Sequence, residues 1–561
     1  MSSATKSAGP KVVVIGAGIG GLSFGIAMKR QLQYENFTIY ERAGEVGGTW
    51  RDNTYPGCAS DVPIHFFCLS TDLNPDWNKT HGSQPEIQAY WKGLAAKYDL
   101  YKHTVFRTQV ISADWNMETQ QYHIVLEDVD SGVKSETTAN VVVSALGILE
   151  QPRYPADMKG IHSFKGDIFH SARWNHNVKL SGKRVAVVGS GCSAAQFIPI
   201  IAQDPTVQIT NFIRTPNWYI DRERTFWSPR AKWVFRNIPL VMKAYRNIIM
   251  LGGEVAYGFF QISALSGIAK NALTRYMLKI APEKYREQLV PSYSPGCRRV
   301  IIDTEYLESL SRPNVSANFD GINEVVEDGI ITGKGEKIAF DVIILATGYE
   351  TQSYPLAVRG VGGQTIQEYY DSQGGPTAYI GTTLPGFPNF YLIGGPNTLT
   401  GHTSVIFTEE CQINYALSLI SPVINEKVSS FEVKQEPTDA YNVKIQRRLS
   451  TTVYSECFSW YRYGGNGKLT SPFPGPVTMF WWYLRTPVWS HYKAVGAEKW
   501  LQEQKRKKLG DVLGLAMAVS GLVLAVKYGA SVPGSAFLLD NLAHTRQSFV
   551  DVWTVARELF A

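Results

Sequence analysis

The sequence predicts an α/β protein with two dinucleotide-binding, Rossmann-like domains, the second carrying a helical insertion. Three observations lead there. A β-branched run, Val12 to Ile15, is followed at once by Gly16-Ala17-Gly18-Ile19-Gly20-Gly21, a helical stretch to about Arg30 and a second strand, Phe37 to Tyr40. The same order returns after Lys183: Val185 to Val188, then Gly189-Ser190-Gly191-Cys192-Ser193-Ala194, a helix, and the strand Val207 to Ile213. Two look-alike runs, Val141 to Gly147 and Val342 to Gly348, would each return the chain to a dinucleotide sheet.

Each element has a physical reason. Short uninterrupted runs of β-branched residues suit strands buried on both faces of a parallel sheet. In the first turn Gly16, Gly18 and Gly21 allow a tight bend and let backbone N–H groups and a helix N-terminus approach a pyrophosphate. Glu41 lies twenty residues past Gly21, where a carboxylate can accept hydrogen bonds from ribose hydroxyls. In the second turn Gly189, Gly191 and Ala194 take the matching places, and twenty residues on stands Arg214. A guanidinium there leaves ribose hydroxyls unserved but pairs with a 2′-phosphate. The first site therefore suits FAD and the second NADPH; a surface ion pair is the alternative for Arg214. One such glycine motif alone is weak evidence, but strand, glycines, helix and charge recurring together are specific.

The expected organisation is residues 1–150 as the first part of an FAD-binding domain and 151–340 as an NADP-binding domain. An aromatic-rich helical insertion lies at about 226–285. Residues 341–490 form the second part of the FAD domain, and 491–561 a tail with an apolar helix at 512–526. At 561 residues and a formal charge of +6 the chain is long and only mildly basic, which argues against nucleic acid as a partner. The six cysteines form no CxxC pair and no His cluster accompanies them, so a disulfide scaffold, a zinc site and a dithiol redox centre are not expected, and no metal is. The polar N-terminus carries no secretory signal, so a cytoplasmic body is expected.

The block Gly47-Gly48-Thr49-Trp50-Arg51-Asp52-Asn53-Thr54-Tyr55-Pro56-Gly57-Cys58-Ala59-Ser60-Asp61 resembles the long signature of the Baeyer–Villiger monooxygenases. Phe164 to Asn175 is similar to the same family's fingerprint before the second nucleotide site, departing from it at Asn175. Arg214-Thr215-Pro216-Asn217, Gly296-Cys297-Arg298-Arg299 and Ser459-Trp460-Tyr461 resemble further family segments, so the likeness runs over roughly residues 10–485. It implies an FAD- and NADPH-dependent enzyme: reduced flavin takes up O2 as a C4a-peroxyflavin, whose anion attacks a ketone and yields an ester or lactone. Gly48, Thr49, Trp50, Tyr55 and Asp61 are then implied at the cofactor, with Thr215, Arg298 and Trp460 at the nicotinamide nucleotide.

That chemistry needs a permanent cation beside the reacting oxygen. Arginine suits it because a guanidinium does not release its proton at working pH. Arg299 is the matching position, with Asp61 expected to orient it; solvated arginines and a turn-forming aspartate are the plain alternatives. His170 is expected to couple the domains rather than to move protons. The aromatic insertion would wall an apolar ketone site, as in secondary-metabolite biosynthesis. A heteroatom- or carbon-hydroxylating flavin monooxygenase is the enzymatic rival, and an FAD-binding membrane scaffold the non-enzymatic one. In the tail, Lys505-Arg506-Lys507-Lys508 precedes the uncharged run Val512 to Val526, short of the roughly twenty residues that span a bilayer. A membrane anchor, an interfacial helix and a helix packed on the enzyme all remain open.

Overall fold

The computed structural model describes residues 9–155, 158–221, 225–261 and 264–528. Two five-stranded parallel sheets dominate it. The first orders its strands Phe390–Leu392, Val141–Ser144, Val12–Ile15, Phe37–Tyr40 and Thr104–Val105. The second orders them Val315–Asn318, Gln208–Phe212, Arg184–Val188, Val342–Leu345 and Asp167–His170. In both, the strand before the glycine turn lies in the middle, between its βαβ partner and one of the two look-alike runs. Val12, Val13, Val14, Val185 and Val187 are fully buried, as the uninterrupted apolar runs require. Val342–Leu345 belongs to the second sheet, so the crossing back expected at 341 comes one strand later.

Helix α1 (Ile19–Ala27) follows the first glycine turn and α2 (Cys192–Ile201) the second. The insertion is α3 (Pro229–Asn237), α4 (Pro239–Ala256) and α5 (Ala264–Ile280). A mixed sheet of Ala357–Arg359, Thr108–Asn116, Gln121–Asp128 and Lys134–Ala139, with its first pair parallel and the other two antiparallel, shares a core with the first parallel sheet through Trp115, Tyr122 and Phe390. Helix α6 (Val405–Ile424) and α7 (Val477–Leu484) complete this part.

The chain divides into a large unit, residues 1–424 with 430–493, and a small one, 425–429 with 494–561. In the small unit α8 (Glu498–Tyr528) is one helix of 31 residues, so the basic cluster and the apolar run 512–526 lie on a single element. Leu513 and Met517 are exposed along it. Among the described residues no helix is long and apolar enough to cross a membrane. The rest of the tail, 529–561, lies outside the described residues.

Candidate active site

The first glycine turn is built for close approach. A Cβ on Gly21 would fall 1.9 Å from the Gly16 carbonyl oxygen, so only glycine lets α1 start against the strand. Gly48, at φ +54°, brings its backbone over Gly18; a Cβ there would lie 2.9 Å from the Gly18 Cα. Glu41 is buried at the end of its strand. Its Oε2 accepts from Ala17 N (2.8 Å) and its Oε1 from Ala43 N (2.9 Å) and Arg51 Nη1 (3.0 Å). Arg51, which the motif reading passed over, thus fixes the acid that the ribose would meet. Thr49 and Trp50 open the short helix Thr49–Asp52, and the buried Trp50 indole Nε1 has no hydrogen-bond partner among the described residues.

One acid from α6, Glu409, approaches this turn. Glu409 Oε1 and Oε2 lie 3.9 and 3.6 Å from where Cβ atoms on Gly394 and Gly20 would stand. Burial, then the neighbouring Glu410, push the Glu409 carboxyl up to about 8. A carboxyl kept neutral at pH 7 adds no negative charge beside a pyrophosphate. An open cleft of about 820 Å3, including its mouth, lies beyond the ends of the strands Val141–Ser144 and Phe390–Leu392, lined by Leu146, Gly394 and Pro396 among others. Clefts outside the carboxyl ends of parallel strands are where such sheets bind ligands.

In the second turn Gly191 stands at the N-terminus of α2 with open space where a Cβ would project, and Ala194 is buried beneath it. Arg214 is exposed at the end of its strand, with Thr215 half-buried beside it. Arg298 comes within electrostatic range of Arg214: burial first, then Arg214, lowers its pKa. Arg298 Nε also donates to the Phe458 carbonyl (2.9 Å), and its guanidinium lies over the Tyr293 ring. Two cations within electrostatic range of one another suit a dianionic phosphate.

Arg299 and Asp61, 238 residues apart, meet. Arg299 Nε and Nη2 each lie 2.6 Å from Asp61 Oδ2. Burial works to raise the Asp61 carboxyl, but the Arg299 charge and hydrogen bond outweigh it and hold it below its ordinary range. Asp61 in turn holds the guanidinium above its own. Both contacts fall on one oxygen, so Asp61 leaves Nη1 unused, and 34% of the Arg299 side chain is exposed. Cys192, at the start of α2, and Tyr461 share the field of this pair.

A disulfide, Cys297–Cys457, joins the loop that carries Arg298 and Arg299 to the loop that carries Trp460 and Tyr461. The expectation of no disulfide scaffold did not foresee this one bond, because 160 residues separate its halves. Trp460 is 38% exposed, with its ring 4.5 Å from that of Tyr461. Tyr55 is buried and donates from its hydroxyl to Gln196 Oε1 (3.0 Å). Gln196, on α2, also bonds Ala59 N and O and so ties the signature block to the second nucleotide domain; nothing in its spacing marks it. His170 is buried and accepts at Nδ1 from Ala172 N (3.1 Å), and burial pushes it down to about 4. It is therefore neutral at pH 7.

Residues 9–232 match the flavin-binding monooxygenase-like family. A Baeyer–Villiger monooxygenase of Pseudomonas aeruginosa is 35% identical over 480 residues, 85% of this chain and 89% of its own. FAD-binding monooxygenase ktnD of Aspergillus niger is 30% identical over 549 residues, 91% of this chain and 88% of its own. Among solved structures, an oxidized steroid monooxygenase bound to NADP superposes with a TM-score of 0.76 at 25% identity, over 87% of this chain and 99% of that one. With glycine turns, signature block and arginine loop in one fold, and such identity along most of both chains, this chain belongs to the Baeyer–Villiger monooxygenases, flavin-dependent enzymes of the flavin-binding monooxygenase family.

Proposed function

We propose that this chain uses FAD, NADPH and O2 to oxidise an apolar ketone to an ester or lactone, with Arg299 as the catalytic cation and Asp61 as its positioning partner. The Arg299–Asp61 pair supports this reading most directly. The residues fit both cofactors. The Gly18–Gly48 approach, Glu41 and the unpartnered Trp50 indole suit FAD; the open Gly191 turn and the Arg214–Arg298 cation pair suit NADPH.

Bound flavin, once reduced by NADPH, supplies the oxygen chemistry: one atom of O2 enters the substrate and the other leaves as water. The protein supplies the charge. Arg299, held protonated by Asp61, offers Nη1 to the negative charge that develops on oxygen during attack on the carbonyl. Asp61 stays ionised down into the acid range, so the pair keeps its geometry across neutral pH. Gln196 and the Cys297–Cys457 bond fix the two loops that deliver Asp61 and Arg299.

NADPH and O2 are both supplied by the cytosol, and we place the enzyme there. Membrane contact through the tail is kept as a proposal; among the described residues no helix is long and apolar enough to cross a membrane. A role in secondary metabolism is part of the same proposal and rests on the apolar ketone it names.

The test is FAD-loaded protein with NADPH, O2 and a panel of ketones and thioethers, products identified by mass spectrometry. Esters or lactones support the reading. Sulfoxides or alcohols alone select the hydroxylating rival, and no flavin reduction by NADPH selects the scaffold.

A further inference from the structure

Helix α4 turns an apolar face to solvent. Its inner side is anchored by buried Arg246, whose Nη1 donates to the carbonyls of His65 (3.0 Å) and Cys68 (2.9 Å). Its outer side carries Leu240, Val241, Ile248, Leu251 and Val255, all exposed, with Leu240 at 76% and Val255 at 77%. On a helix these five positions fall within an arc of about 100°. A water-facing helix side is normally polar, so this face calls for a partner.

Charge says which. Residues 226–282 carry eight Lys or Arg against a single acid, Glu254; with Arg246 turned inward and Arg236 paired with Asp76, six remain to give the surface its positive charge. Glu254 is turned inward: its carboxylate accepts from the backbone N–H groups of Val477 and Thr478 at the start of α7. The next turn of α7 exposes Trp481 and Trp482 beneath the Arg485 guanidinium, and α3 exposes Trp233 at 58%. An apolar helix face, exposed indoles and excess cations make up a surface that lies in the headgroup region of an anionic bilayer. A second copy would bring the same positive charge against itself, and the chain's own apolar run 512–526 follows the cationic Lys505-Arg506-Lys507-Lys508.

We propose that the outer face of α4, flanked by Trp233, Trp481 and Trp482, seats this protein on an anionic lipid surface without crossing it. The inference goes beyond the oxygenation reading and is independent of Arg299.

The test is sedimentation of full-length, FAD-loaded protein with vesicles of phosphatidylcholine alone or with one-third phosphatidylserine. Wild type should bind the phosphatidylserine vesicles, more weakly as salt rises. The combined Leu240→Glu, Ile248→Glu and Val255→Glu variant should bind at least about tenfold more weakly, with flavin content and melting temperature unchanged. Val255→Glu alone, at an exposed site, should show a smaller loss in the same direction. Three outcomes would overturn the proposal: wild type that ignores both vesicles, glutamate variants that bind like wild type, or a lipid-free dimer that the glutamates abolish.

Discussion

Replacing Arg214 by alanine should leave an enzyme that hardly distinguishes NADPH from NADH. Arg214 is exposed just past the strand Gln208–Phe212, and its charge reaches Arg298. A 2′-phosphate lodged between them would relieve that repulsion and gain charge-assisted hydrogen bonds. One such bond contributes about 1.5–3 kcal/mol, or roughly ten- to a hundredfold in affinity. Because Arg214 is exposed, the lower end applies at physiological salt and the effect should grow at low ionic strength. The assay is anaerobic stopped-flow reduction of bound flavin over a range of NADPH and of NADH. The half-saturating NADPH concentration should rise about tenfold or more, with NADH little changed. Equal losses for the two nucleotides would refute the reasoning and give Arg214 a role in the fold.

Other outcomes follow from the same geometry. Cys297→Ser removes a bond closing a 160-residue span and should cost about 2–4 kcal/mol of stability; a dithiol reductant should lower the melting temperature of wild type but not of the variant. Glu409 has a folded-state pKa of about 8, above its unfolded value. Its contribution to stability is full below the unfolded pKa and is lost as pH rises through about 8. The FAD-free melting temperature should accordingly fall over that window, and Glu409→Gln should flatten the slope; an unchanged slope would show that Glu409 is not the titrating group. Gln196→Ala leaves the Tyr55 hydroxyl without its acceptor and should raise the hydrogen peroxide formed per NADPH, read with a peroxide-coupled assay, while flavin content holds.

What the sequence disclosed was mostly local. Gly16 to Glu41 and Gly189 to Arg214 are readable because turn, helix and charge lie within thirty residues and obey fixed spacings. The meeting of Arg299 with Asp61 across 238 residues follows from no spacing, and family likeness alone put both forward. Gln196 and the Cys297–Cys457 bond carried no signal, since each depends on which loops the fold brings together, and Arg51 stands inside the signature block with nothing in its spacing to pair it with Glu41. Two similar apolar runs do not say which sheet they join, so the boundary at 341 falls one strand before the chain leaves the second sheet. Helix α4 shows the opposite difficulty. Its apolar residues recur at helical spacing, which in sequence reads as a core-facing stripe, and only the structure shows that the stripe faces outward.

The central claim is that Arg299 stabilises the oxygen-transfer step, and the ratio of ester formed to NADPH consumed in Arg299→Ala tests it most directly. The variant should stay folded and yellow, because Glu41 and the glycine turns that suit FAD lie elsewhere. Its flavin should still be reduced by NADPH, but ester formation should fall roughly a hundred- to a thousandfold, with the consumed reducing equivalents recovered as hydrogen peroxide. Arg299→Lys should restore little, because an ammonium lacks the planar fork. Wild-type ester yield per NADPH in Arg299→Ala would contradict the assignment and remove this cation from the mechanism.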